Sequence, residues 1–270
     1  MKRIELNIDN NKVVCVKKCC KNVKGHTLVI LPGATTENVD YYLLMCYLKG
    51  IEVIIINNLA HGRGKYESIG TALTKANDLI NFHVKVIKKL IDLGYCSTSK
   101  IDVLAYSLGG MSLINIINRQ SLKGVLDTAI ILCSDCKTAN DLIEVEGLYN
   151  KETKTFNSKK LLNLTITKES PWYLKFSPMK LLSCNSISSI ADIYLCKSFN
   201  ELAEQEPLRN NIDTKIIDIT SKDDYFFDEN NAENLGKHFD DFTLIRTKRC
   251  HLLPIEAPKM TANLILNAIK

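Results

Sequence analysis

Ser107 lies in the run Ala105-Tyr106-Ser107-Leu108-Gly109-Gly110, where an apolar stretch from Ile101 gives way to a segment of helical character. A serine hydroxyl becomes a useful nucleophile only when a base takes its proton and its oxygen is presented outward. A sharp strand-to-helix turn does the second, provided the residues two before and two after the serine are small, as Ala105 and Gly109 are. A helix beginning at Leu108 would aim its first amides and positive dipole end at the same point, which favours an oxyanion there. The same fragment would also suit an N-cap serine opening a glycine-rich helix. A second amide is available from Leu31-Pro32-Gly33-Ala34-Thr35, so Ala34 and Leu108 are the candidate oxyanion donors. For the base, His26, His83 and His238 sit before a strand, on a buried helix face and near a helix end, where structural roles suffice. His251, in Cys250-His251-Leu252-Leu253-Pro254, is favoured over His61, in Asn58-Leu59-Ala60-His61-Gly62, because it follows the last predicted strand. The orienting carboxylate has three candidates: Asp223 and Asp224 after one predicted strand, and Asp135 after another.

These residues need a scaffold that brings strand ends together. Residues 3–8 and 13–16 read as an opening hairpin around Asp9-Asn10-Asn11. The continuous apolar run at 27–31 reads as a strand buried on both faces, and 51–56, 101–105, 129–133, 215–220 and 242–245 read as further strands. Helical patterns are expected at 40–49, 78–93, 108–119, 232–238 and from Pro258 onward. Alternation of this kind implies a mostly parallel α/β sheet with helices on both faces. From about 137 to 210 the periodicity is lost, and the stretch reads as short helices and loops, too long for a plain connection. It is expected to be a helical cap over the carboxyl edge of the sheet, inserted into a core of 1–136 and 211–270. Tyr106 and the cap residues Trp172 and Tyr173, with Leu174 and Phe176 beside them, are the expected lining of a substrate pocket.

With 270 residues, 46% hydrophobic and a mean hydropathy of -0.04, the chain can bury a sizeable core, which excludes disordered and fibrous classes. No apolar run approaches the roughly 18 residues that a membrane helix needs. The net charge of +5 is spread along the chain, and the lysines at 17, 18, 21 and 24 fall in a turn, so no nucleic-acid partner is expected. Met1-Lys2-Arg3-Ile4-Glu5 has no apolar stretch behind its basic residues, so neither a signal nor a transit peptide is read and a cytoplasmic location is expected. The ten cysteines are accordingly read as reduced, and the isolated Cys133/Cys136 pair as structural thiols rather than a zinc or redox site.

Taken in order, Pro32-Gly33-Ala34, Asn58 to Gly64, Ala105 to Gly110, Ser221-Lys222-Asp223-Asp224 and Cys250 to Pro258 resemble the α/β-hydrolase superfamily along nearly the whole chain. The resemblance implies an eight-stranded, mostly parallel sheet with a helical cap and a triad of Ser107, Asp224 and His251. It prefers Asp224 because the family's acid usually falls three residues after a small residue, here Ser221. Two positions depart from the usual pattern: Ala105 stands where glycine is commonest, and Pro32 stands where a histidine commonly precedes Gly33. A serine in the elbow speaks against the dehalogenase and epoxide-hydrolase branches. The implied activity is cleavage of a small or medium acyl ester or thioester, with no cofactor and no metal. A lipase, a carbon-carbon bond hydrolase, an acyltransferase or a non-catalytic ligand receptor on the same fold are the alternatives.

Overall fold

The computed structural model describes residues 1–20, 25–166, 170, 186–210 and 212–269. The chain opens with β1 (Lys2–Ile8) and β2 (Asn11–Lys18), paired antiparallel with Ile8 opposite Asn11. Asp9 and Asn10 both take positive φ, 49° and 64°, as the two-residue hairpin turn that matches strand twist requires. Next come β3 (Thr27–Leu31), α1 (Tyr42–Tyr47), β4 (Glu52–Ile56), α2 (Ala76–Asp92), β5 (Ile101–Tyr106), α3 (Leu108–Asn118) and β6 (Leu126–Leu132). A small hairpin, β7 (Tyr149–Asn150) and β8 (Thr155–Phe156), leads to α4 (Ser158–Thr165) and α5 (Ser186–Gln205). The chain closes with β9 (Ile212–Asp223), α6 (Asn231–Gly236), β10 (Phe239–Cys250), α7 (Leu253–Glu256) and α8 (Pro258–Ala268).

Eight strands form one sheet in the order β1-β2-β4-β3-β5-β6-β9-β10. The pairings of β1 with β2 and β2 with β4 are antiparallel, and the other five are parallel. Every residue of β3, β4 and β5 is buried, because helices cover both faces. Leu79, Val86 and Leu90 of α2 and Met111 and Ile114 of α3 join one core cluster, while Leu44 and Met45 of α1 and Ala262 and Ile265 of α8 join the other. Since β3, β5, β6 and β9 run in the same direction, their carboxyl ends gather the loops that follow them at one edge.

Several elements differ from the sequence-based expectation. The helix expected over 40–49 is a 3₁₀ turn at Asn38–Tyr41 followed by only six α-helical residues. β9 and β10 each extend to twelve residues, beyond the apolar segments that marked them; in the outer strand β10 only Phe239, Thr247 and Cys250 are buried, and the added positions carry exposed charges such as Asp241 and Arg246. The segment read as short helices and loops contains α5, twenty residues long, whose buried positions include Ser188, Ser189 and Asp192 beside Ile193 and Phe199. That polar share hides the stripe an amphipathic helix would show. α5 packs on α2 and α3, so residues of the expected cap share the core of the sheet's helical layer. Among the described residues no helix is long and apolar enough to cross a membrane.

Candidate active site

Ser107 sits between the last residue of β5 and the first of α3 with φ 51° and ψ -118°. A non-glycine residue in that region is strained by about 1–3 kcal/mol, and the surroundings must hold it. Its carbonyl accepts from Ser134 Oγ at 2.7 Å, and its amide donates to the Leu132 carbonyl at 3.0 Å, anchoring the turn to β6. Gly109 lies against β3: a Cβ there would stand 2.5 Å from the Leu31 carbonyl oxygen and 2.7 Å from that of Pro32. Gly109→Ala is therefore expected to destabilise the protein by about 1–3 kcal/mol, seen as a lower urea midpoint at unchanged slope. An unchanged midpoint would mean that α3 can slide away from β3 freely.

His251 follows β10 directly, after a register shift between Thr247 and Cys250 in the pairing with β9. Its Nε2 is 3.0 Å from Ser107 Oγ and its Nδ1 is 2.7 Å from Asp224 Oδ2. The Asp224 side chain is held in turn, since Oδ1 accepts from the amides of Phe226 at 2.8 Å and Phe227 at 3.2 Å. Tyr106, Phe226 and Phe227 surround the imidazole, with ring centroids 5.2, 4.8 and 5.8 Å away. The serine and the histidine are only 7% and 5% exposed, so the hydroxyl, imidazole and carboxylate meet in a site largely closed to water.

The rival carboxylates stand elsewhere. Asp223 is exposed at the end of β9, and Asp135 accepts from the Cys136 amide at 2.6 Å, its carboxyl pushed above the usual range by burial. The rival histidine is turned away too: His61 Nε2 faces Asp192, not the serine. His83 bonds Ser112 and Asn58 and is kept neutral, burial pulling it down to about 3, while His26 and His238 bond Asp102 and Asn210. Cys133 and Cys136 carry free thiols.

Over Ser107 and His251 lies a cleft lined by Ala34, Thr35 and Tyr106 from the sheet side and by Leu142, Leu161 and Leu162 from the 137–210 segment. Neither the Ala34 nor the Leu108 amide has an acceptor among the described residues. The turn carrying Ala34 is pinned from within, because Tyr41 Oη accepts from the Gly33 amide at 3.0 Å and bonds Thr36 Oγ1 at 2.9 Å. Trp172 and Tyr173, like Leu174 and Phe176, fall outside the described residues. Sequence reasoning missed Tyr41, Asp192, Phe226 and Phe227. The aromatic run directly after Asp224 was the available signal for the last two.

No family model matches the sequence, and no curated protein matches it. Solved structures do match. An α/β-hydrolase fold protein from Chitinophaga pinensis is similar at a TM-score of 0.75 and 15% identity, over 99% of this chain and 97% of that one. The enol-lactonase from Burkholderia xenovorans LB400 is similar at 0.76 and 10% identity, over 98% and 99%. The chain has the α/β-hydrolase fold. Carboxylesterase CesB from Bacillus subtilis is also similar, at 0.72 and 12% identity over 99% and 91%.

In this α/β-hydrolase fold Ser107, His251 and Asp224 meet at the edge formed by the carboxyl ends of β5, β9 and β10. The one set of side chains among those described with ligand atoms spaced for a metal ion, His26, Asp102 and Asp127, lies at the opposite edge, near the starts of β3, β5 and β6. Two of the three already have partners: His26 Nδ1 is 2.8 Å from Asp102 Oδ2, and Lys100 Nζ is 3.7 Å from Asp127 Oδ1.

Proposed function

We propose that the protein is a serine hydrolase acting on a neutral acyl ester or thioester of short to medium chain length. The observation that carries this reading is the hydrogen-bonded line Ser107 Oγ, His251 Nε2, His251 Nδ1, Asp224 Oδ2 beneath an apolar cleft. Ser107 Oγ attacks the acyl carbon while His251 Nε2 takes its proton. The tetrahedral oxyanion that forms is held by two amides, that of Leu108 at the start of α3 and that of Ala34 in the turn after β3. His251 then gives its proton to the departing alkoxide or thiolate, leaving an acyl-Ser107 ester. A water molecule, deprotonated by the same imidazole, hydrolyses that ester and restores the serine. Asp224 keeps the Nδ1 proton in place and stabilises the imidazolium of each step.

Segment 137–210 is the cap in this reading, and its Leu142, Leu161 and Leu162 form the acyl side of the pocket. Each methylene buried there strengthens binding by up to about 0.8 kcal/mol until the pocket is full. For nitrophenyl acetate, butyrate, hexanoate and decanoate, kcat/KM is expected to rise to an optimum, and Leu161→Phe is expected to move that optimum to a shorter chain. Acyl thioesters run in parallel separate the two leaving-group classes. A series that is flat in both proteins would overturn the acyl pocket. A non-catalytic receptor would give no turnover of any of these substrates and no fluorophosphonate adduct.

A further inference from the structure

His61 and Asp192 form a buried contact between two parts of the fold that the triad does not use. Asp192 belongs to α5, and His61 to the loop after β4. Asp192 Oδ2 accepts from His61 Nε2 at 2.9 Å and from the amide of Thr35 at 2.7 Å, while Oδ1 is buried without a hydrogen-bond partner among the described residues. His61 Nδ1 faces the Leu59 carbonyl at 2.9 Å. The ring nitrogens face the Leu59 carbonyl and the Asp192 carboxyl group, an arrangement that an imidazolium donating from both nitrogens to a carboxylate and a carbonyl satisfies. Thr35 adjoins Ala34, the proposed oxyanion donor, and holds φ 56°, a left-handed conformation that a β-branched residue keeps only when its surroundings enforce it.

We propose that Asp192, fixed by the charged ring of His61, is a positioning residue that clamps the Thr35 amide and thereby holds the Ala34 amide on the oxyanion. The inference rests on the hydrolase reading above. Tyr41 fixes this turn from the core side through the Gly33 amide, and Asp192 fixes it from the α5 side, so the donor is held between two anchors. The other ionisable groups facing the pair are Glu37, from the 3₁₀ turn, with Arg63 3.7 Å from it, and Cys196, one helical turn along α5, whose thiol burial and Asp192 keep protonated. Burial works against the His61 charge, but Asp192, the Leu59 carbonyl and Glu37 outweigh it and push the ring up to about 9. Raised above the ordinary value near 6.5, the ring contributes its stabilisation fully below about pH 6.5 and loses it as pH rises through about 9. The clamp should therefore loosen on the alkaline side only.

The test compares wild type, Asp192→Asn and His61→Gln by steady-state kinetics on nitrophenyl butyrate, by the Ki of a trifluoromethyl ketone whose hemiketal imitates the oxyanion, and by NMR titration of His61. Asp192→Asn is expected to lower kcat at least tenfold with KM within twofold and to raise the inhibitor Ki by a similar factor. Wild-type kcat should fall through about pH 9 in step with the His61 resonances, and His61→Gln should lack that fall. If Asp192→Asn does not fold, as judged by circular dichroism, His61→Gln and the wild-type titration still decide the matter. Wild-type kcat in Asp192→Asn, a raised KM at unchanged kcat, or a His61 that titrates near 6.5 would each overturn the clamp. Failure of the hydrolase reading is distinguishable, because wild-type Ser107 would then take up no fluorophosphonate while His61 still titrated near 9.

Discussion

Ser107→Ala is expected to abolish the single fluorophosphonate adduct of the wild-type protein and to lower kcat by a factor on the order of 10⁶. The size of the effect follows from the covalent step. Without Oγ no acyl-enzyme can form, and the oxyanion amides and the cleft can assist only direct attack by water. The fold is expected to survive, because the strained φ of 51° is imposed by the β5 to α3 turn, by Ser134 and by Gly109 packing on β3, not by the hydroxyl. Intact-protein mass spectrometry after labelling, with circular dichroism to show that both proteins are folded, reads the result. Equal labelling of the two proteins would place the reactive nucleophile elsewhere and end the assignment.

The elbow was legible in the sequence because its requirements are local. The buried strand shows as the apolar run Val103-Leu104-Ala105 after Ile101 and Asp102, and the close approach of α3 to β3 shows as Gly109. His251 was legible through its place after the last strand, although the register shift just before it left no trace in residue types. Asp224 needed the resemblance. Three aspartates followed strands, and only the turn that sends Asp224 Oδ1 to the Phe226 and Phe227 amides singles one out. α5 was illegible for the opposite reason: its buried face carries Ser188, Ser189 and Asp192, which periodicity counts as polar and therefore outward. The partners of Asp192, His61 and Thr35, come from segments far away in the chain, and no spacing rule contains such pairings.

Asp224→Asn is expected to lower kcat by up to about 10⁴ with little change in KM, whereas Asp135→Asn and Asp223→Asn should stay near wild type. The asymmetry comes from hydrogen-bond direction. Oδ1 of Asp224 accepts from two backbone amides, and an asparagine must keep its carbonyl oxygen there to satisfy them. Its NH₂ group then points at His251 Nδ1, which is 2.7 Å from the present Oδ2, and donates where a carboxylate accepted. Nδ1 becomes the acceptor and the ring proton moves to Nε2, facing Ser107 Oγ at 3.0 Å, so the imidazole can no longer take the serine proton. Substrate still binds, because the cleft is lined by other residues. Asp135 makes its hydrogen bond to the Cys136 amide and Asp223 stands exposed at the strand end, so neither substitution reaches the ring. Steady-state kinetics on the preferred nitrophenyl ester separates the cases. Near wild-type turnover in Asp224→Asn together with its loss in Asp135→Asn would move the orienting carboxylate from the end of β9 to the end of β6.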